Sequence, residues 1–238
     1  MNARVGMVVL LGALLACKQG GGGGGKEEST TRAADQAKAS ASAAPAEAGV
    51  PAPTKADPLP FAVGQWTKHR LTDGKNPPSE LTYSIIEEEA GALWIEAVNE
   101  APGRPPTVIQ FLVTVPDRWK PEGVEIRRVK MKVGDRIQEL SGPMLSTIRK
   151  QYGHIVSKMA MPKLEGLPQE TIEVEAGKFR GCYKHRVKEE FLGFKTDVVA
   201  WHHPAVPLNA MVEMKGVNDS THMELLAYGV EGAKSRLK

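Results

Sequence analysis

Six histidines, two cysteines and a run of alternating cations are the residues of this chain that could do chemistry. His202 and His203 are adjacent, so on a strand they point to opposite faces and do not readily share a metal. His69, His154, His185 and His222 are scattered, with no His-x-x-x-His pair to set two imidazoles on one helix face. This spacing supports no metal site, and no cofactor is expected. Gly-x-Ser-x-Gly, a phosphate-binding glycine loop and paired cysteines do not occur. Glu87, Glu88 and Glu89 form a charge run before a turn, which reads as a solvated face. No nucleophile pairs with a base, so no catalytic residue is assigned and the chain is not expected to be an enzyme.

The cations offer binding rather than catalysis. Lys178, Arg180, Lys184, Arg186 and Lys188 recur at period two, broken only by Cys182, and strand geometry puts them on one face. A two-residue turn at Ala176-Gly177 sets Glu175 against Lys178, Glu173 against Arg180 and Val174 against Phe179. A second turn at Leu192-Gly193 sets Glu190 against Lys195, Lys188 against Asp197, Val187 against Val198 and Lys184 against Trp201. Opposite charges meet throughout, as cross-strand energetics prefer, and a one-residue slip would lose the agreement. Lys184 and Arg186 are left least compensated and are the candidate contact for an anionic partner. A salt-bridged, solvated face is the plainer reading. Residues 117–136 are also basic, with Val129, Met131 and Val133 alternating among the charges. A strand with one wet face and a patch for anionic lipid or glycan both fit.

The elements that must position these residues are mostly strands, because the dominant period from Phe61 onward is two. A strand starts at Trp66. Leu81, Tyr83 and Ile85 alternate with polar residues, and Ala90-Gly91 makes a turn. Leu93, Ile95 and Ala97 then share one face, with Trp94, Glu96 and Val98 on the other. Residues 107–115 are apolar on both faces. Further strands are expected over 209–214 and 221–228, with Leu208, Ala210, Val212 and Met214 on one face. One helix interrupts them near 143–160, with Ser141 as N-cap and Pro143 in its first turn. Its stripe of Met144, Leu145, Ile148, Tyr152, Ile155, Val156 and Met159 packs as core or lines an apolar cavity, with Ile148, Tyr152, Ile155 and Met159 as the lining residues. Arg149 faces away. The expected fold is therefore mainly β (α+β): a curved antiparallel sheet of about nine to eleven strands with one main helix.

The amino-terminal segment carries an address. Arg4 precedes an apolar run over residues 5–15, and small residues lead to Cys17, the pattern of a secretory signal. The run is shorter than the roughly 20 residues that span a bilayer. Leu14-Leu15-Ala16-Cys17 resembles the lipobox of bacterial lipoproteins. The resemblance implies cleavage before Cys17, diacylglycerol on its sulfur and acylation of the new amino terminus. It thereby implies a membrane partner and an envelope location. Lys18 is not the aspartate that retains lipoproteins at the inner membrane in enteric-type sorting, so the outer membrane is the expected site.

Residues 1–16 are thus read as signal peptide and 17–60 as lipidated cysteine and tether. Residues 61–230 are read as the β domain and 231–238 as a polar, frayed tail. The tether opens on glycines 20–25 and continues through Ala-, Ser- and Pro-rich sequence with too few large apolar side chains to offset ordering entropy. About 40 such residues reach roughly 35 Å. The domain itself has ordinary composition, 41% hydrophobic and 25% charged over the whole chain, and the net charge of +3 is too small to indicate nucleic acid. With Cys17 acylated, Cys182 has no partner in the chain, and it reads as a small buried hydrophobe.

Val174-Glu175-Ala176-Gly177-Lys178-Phe179, Trp201, the Pro204-x-x-Pro207 turn, and the segments 211–214 and 225–228 resemble periplasmic lipoprotein-carrier-like half-barrels. In that family a curved sheet wraps a helix or an apolar ligand. The resemblance implies a non-catalytic envelope lipoprotein binding lipid or another apolar ligand. The alternative is a structural or interaction lipoprotein that contacts an envelope protein or anionic glycan through its basic face.

Overall fold

A computed structural model describes residues 49–115, 124–133, 136–157, 163–191 and 194–237. The strands are β1 (Trp66–Thr72), β2 (Ser79–Glu89), β3 (Ala92–Glu100), β4 (Thr107–Thr114), β5 (Glu125–Val133) and β6 (Arg136–Glu139). The helix α1 (Gly142–Ser157) follows, then β7 (Gln169–Val174), β8 (Gly177–Phe191), β9 (Phe194–His202), β10 (Met211–Gly216) and β11 (His222–Gly229). All eleven strands form one open antiparallel sheet in the order β6-β5-β4-β3-β2-β1-β11-β10-β9-β8-β7. The mainly β fold, with a single helix among the described residues, is as expected. Two meanders run outward from the centre, where β1 and β11 pair. The β6–β7 connection, which contains α1, therefore leads from one edge of the sheet to the other.

Local chemistry explains the turns and breaks. Ala90 and Gly91 both take positive φ, 49° and 71°, as a two-residue hairpin of the mirror-image type requires. Leu208 and Ala210 also take positive φ, 61° and 54°, which ends the extended conformation and delays β10 to Met211. The expected apolar face of Leu208, Ala210, Val212 and Met214 is thereby split. Leu208 packs into the cluster of Ile95, Phe111 and Val129, Val212 packs with Phe179, and Met214 packs with Met223.

The β8–β9 register is the expected one, with Lys184 opposite Trp201, Val187 opposite Val198, Lys188 opposite Asp197 and Glu190 opposite Lys195. The β7–β8 hairpin differs. Its turn is Glu175-Ala176, so Glu173 faces Lys178 and Ile172 faces Phe179. The strands are displaced by two residues from the expected pairing. Such a slip keeps the period-two alternation at the turn and sets Glu173 opposite Lys178 in place of Arg180, so charge complementarity could not detect it.

The main core lies on β2 to β5, where Ile85, Ile95, Ala97, Ile109, Phe111, Val113 and Val129 are buried and Leu145 and Ile148 of α1 pack against them. Arg149 does not face away from the sheet. Its guanidinium donates to the carbonyls of Ile126 (2.7 Å) and Arg127 (2.9 Å). Pairing between β5 and β6 covers only Lys130–Val133, so Arg149 satisfies acceptors on an uncovered stretch of strand edge.

On the opposite face Trp94 is buried. Its indole donates to Glu89 (2.9 Å), and Lys130 lies 4.1 Å from the ring centroid. Arg128 joins Glu89 and Glu139 at 2.6 Å each, so the third glutamate of the run at 87–89 is engaged rather than merely solvated. The carboxy-terminal residues are engaged as well. Glu96, 1% exposed, accepts from Gln110 Nε2 (2.8 Å), Ser235 Oγ (3.0 Å), Arg236 N (3.0 Å) and Leu237 N (3.3 Å). A buried carboxylate needs this many donors, and residues 235–237 supply three of them in place of the expected frayed end.

Candidate functional site

Lys184 and Arg186 each have a carboxylate partner. Lys184 Nζ donates to Glu170 Oε1 (2.9 Å), while the other oxygen of Glu170 accepts from Trp201 Nε1 (2.8 Å). Lys184, and then Trp201, hold the Glu170 carboxyl below its ordinary range. Arg186 grips both oxygens of Asp197, at 2.8 and 2.7 Å. The two cations expected to be least compensated therefore each have a direct ion pair, because each reaches a carboxylate diagonally rather than straight across.

The single basic face also breaks. Phe179 and Cys182 are both wholly buried although three residues apart, and the β7–β8 register shifts between Glu170 and Ile172. An extra residue flips the alternation, so Lys178 and Arg180 leave the face that holds Lys184 and Arg186. Gly181, at φ +72°, sits in this bulge, and a Cβ there would lie 3.0 Å from Pro53 Cδ and 3.1 Å from Ala52 Cβ. Cys182 is buried as expected, and desolvation pushes its thiol up to about 12.

The close approach at Gly181 shows that the end of the expected tether belongs to the domain. Val50 pairs in parallel with Phe179, its amide donating to Lys178 O (2.7 Å) and its carbonyl accepting from Arg180 N (3.0 Å). His203 Nδ1 accepts from Ala205 N (3.2 Å), which leaves the proton on Nε2 for Pro51 O (3.1 Å). Gly181→Val should cost about 1–3 kcal/mol, from the left-handed backbone and the displaced prolyl ring. The Val50 amide should then lose its protection against hydrogen exchange. An unchanged melting temperature with unchanged Val50 protection would contradict this docking.

A second apolar cluster lies on the carboxy-terminal half of the sheet. It comprises Met211, Met214, Met223, Val198 and Ala200, with Leu71 and Val187 beside them. Among the described residues every member lies on a strand, whereas the first core also draws on α1 and on the 204–210 loop. Met214 and Met223 are directly opposite, as are Leu71 and Met223. Of the expected cavity residues, Ile148 packs against the first core. Tyr152 and Ile155 fall on α1 with side chains outside the described residues, and Met159 and Cys17 lie outside them altogether.

Histidines border the methionine cluster. His69 is fully buried, and its Nε2 meets Met211 O at 3.1 Å; burial lowers its pKa to about 4. His202, opposite Met211 in the sheet, directs Nδ1 to Asn209 O (3.1 Å) and is likewise lowered to about 4 by burial. His185 stacks obliquely on His202 with centroids 6.4 Å apart. The buried Nδ1 atoms of His69 and His185 and the buried hydroxyl of Thr67 have no hydrogen-bond partner among the described residues. Among the described residues no group of three or more His, Cys, Asp or Glu is placed to hold a metal. The isolated glycine at 181, inside a strand pattern, was the available signal for the bulge and the docked segment. Nothing in the spacing marked the histidines as neighbours of one methionine cluster.

No family model and no curated protein matches the chain. A solved structure of a hypothetical protein from Chlamydia trachomatis matches with a TM-score of 0.38 at 9% identity, covering 73% of this chain and 90% of that one. A likeness that loose carries no argument about function.

Proposed function

We propose that this chain is a lipid-anchored protein of the cell envelope, addressed to the outer membrane by its Lys18, whose non-catalytic β domain binds a lipid or another apolar ligand. The observation that carries the binding part is the methionine cluster, a buried apolar cluster shared by five strands whose described members include no helix or loop residue. Methionine is unbranched and polarisable, so it repacks around ligands of varied shape. The anchoring part rests on the lipobox-like Leu14-Leu15-Ala16-Cys17. The interaction alternative, with an envelope protein or anionic glycan on the basic face, is weakened by the pairing of Lys184 with Glu170 and of Arg186 with Asp197.

The test is titration with a neutral apolar fluorophore, N-phenyl-1-naphthylamine. The protein should give a saturable rise in emission, and Met214→Glu, which sets a charge among apolar side chains, should weaken binding at least tenfold while circular dichroism stays that of a folded sheet. No saturable binding to the unsubstituted protein would overturn the reading.

A further inference from the structure

Resting on the anchoring part of the reading above, we propose that the end of the domain from which the chain leads back to Cys17 docks on anionic lipid. Lys178 and Arg180 meet the headgroups, and Val63 and Val230 enter the boundary between headgroups and acyl chains. Val50 sits between the two cations: its amide donates to Lys178 O (2.7 Å) and its carbonyl accepts from Arg180 N (3.0 Å). A Cβ on Gly49 would lie 3.3 Å from Lys178 Cβ, so the chain leaves the domain against that side chain. Lys178 and Arg180 are exposed. Among the described residues neither forms an ion pair, in contrast to Lys184 and Arg186.

Two of the exposed large apolar residues, Val63 (48%) and Val230 (54%), belong to the same end. Trp66 Nε1 donates to Glu231 O (3.2 Å) and Ala233 N donates to Gly64 O (2.9 Å). A Cβ on Gly64 would lie 3.2 Å from the Cα of Glu231. Residues 63–66 and 230–233 are thereby held side by side. Tyr228, two residues before Val230, meets Phe179 with ring centroids 5.9 Å apart. Phe179 stands between Lys178 and Arg180 in the chain and pairs with Val50. The valines and the cations therefore flank one aromatic pair.

Such a patch would recruit a free protein poorly, because two exposed carboxylates, Glu173 opposite Lys178 and Glu231 beside Val230, dilute its charge. The anchor changes the requirement. Residues 18–48 separate Cys17 from Gly49, and a chain of their Gly-, Ala- and Ser-rich composition reaches roughly 30 Å. A linker of that reach keeps the domain at an effective concentration on the order of millimolar at its own membrane. Each Lys or Arg close to an anionic surface strengthens binding roughly fivefold, and apolar side chains that leave water add to it. A contact this weak fixes the orientation of a tethered domain.

Hydrogen exchange of the lipidated chain tests this. The chain is placed in nanodiscs of phosphatidylcholine alone, or of phosphatidylcholine and phosphatidylglycerol in equal parts, at low ionic strength. Exchange around Val63 and Val230 should be roughly fivefold slower or more on the anionic discs. High salt should remove the difference by screening. In Lys178→Gln with Arg180→Gln the two discs should give equal rates, and retained protection of the Val50 amide shows that β8 is intact. Equal exchange on the two discs by the unsubstituted chain would overturn the docking and leave the anchor standing. A chain that stays with neither disc would overturn the anchor and the docking together. The salt comparison on the unsubstituted chain decides the matter even where the variant fails to fold.

Discussion

Between pH 6.5 and 4 the folded chain should lose roughly 6 kcal/mol of stability, a large part of the roughly 5–15 kcal/mol typical of a folded domain. His69 and His202 both titrate near 4 in the fold because burial disfavours their charged forms, whereas an unfolded histidine titrates near 6.5. Within that window the unfolded chain binds more protons than the folded one, so stability falls as pH falls. Above 6.5 neither state is protonated and the contribution is complete. Below 4 both states are protonated and the loss levels off. Each histidine accounts for roughly 3 kcal/mol at 1.36 kcal/mol per pH unit, and His203, also lowered by burial, adds in the same direction. The depressed carboxyls of Glu170 and Asp197 lose their ion pairs only at lower pH, so the histidines own the upper part of the window. Urea unfolding at pH 7, 6, 5 and 4.5 measures the slope, and His202→Gln should remove about half of it. Equal stability at pH 7 and 5 would mean that these imidazoles accept protons in the fold.

Replacing Cys17 with Ser should move the protein from almost wholly membrane-bound to almost wholly soluble and abolish metabolic labelling by palmitate. Each buried methylene contributes roughly 0.8 kcal/mol, so several long acyl chains hold durably where a single short one holds only marginally. Serine offers no thioether site and removes them together. Fractionation after carbonate washing separates the outcomes. Retention of the Cys17→Ser chain in the pellet would point to attachment through the apolar run at residues 5–15 or through a partner protein.

The fold was legible where two independent patterns had to agree. Across β8 and β9 the charges and the apolar residues demand the same alignment, and only one register satisfies both. Across β7 and β8 both patterns repeat every two residues, so a two-residue displacement is invisible to them, and the choice falls to the backbone at Gly177 (φ 124°) and to the bulge at Gly181. Glu96 carried a usable signal, a lone carboxylate between Trp94 and Val98 on an otherwise apolar face, which requires buried donors. Where those donors come from was not legible, because residues 235–237 have no periodicity. The site was least legible of all. His69, His185 and His202 are separated by up to 133 positions, taking the difference of their numbers, and meet one cluster only because β1 and β11 pair at the middle of the sheet.

Native mass spectrometry of the Cys17→Ser chain, purified from the soluble fraction of its own cells without detergent, tests the binding proposal most directly. The expected spectrum contains protein carrying a non-covalent apolar species of a few hundred daltons, removed by organic extraction and restored by adding back the extract. Protein at its bare mass before extraction, with no uptake from the extract afterwards, would contradict ligand binding by this sheet.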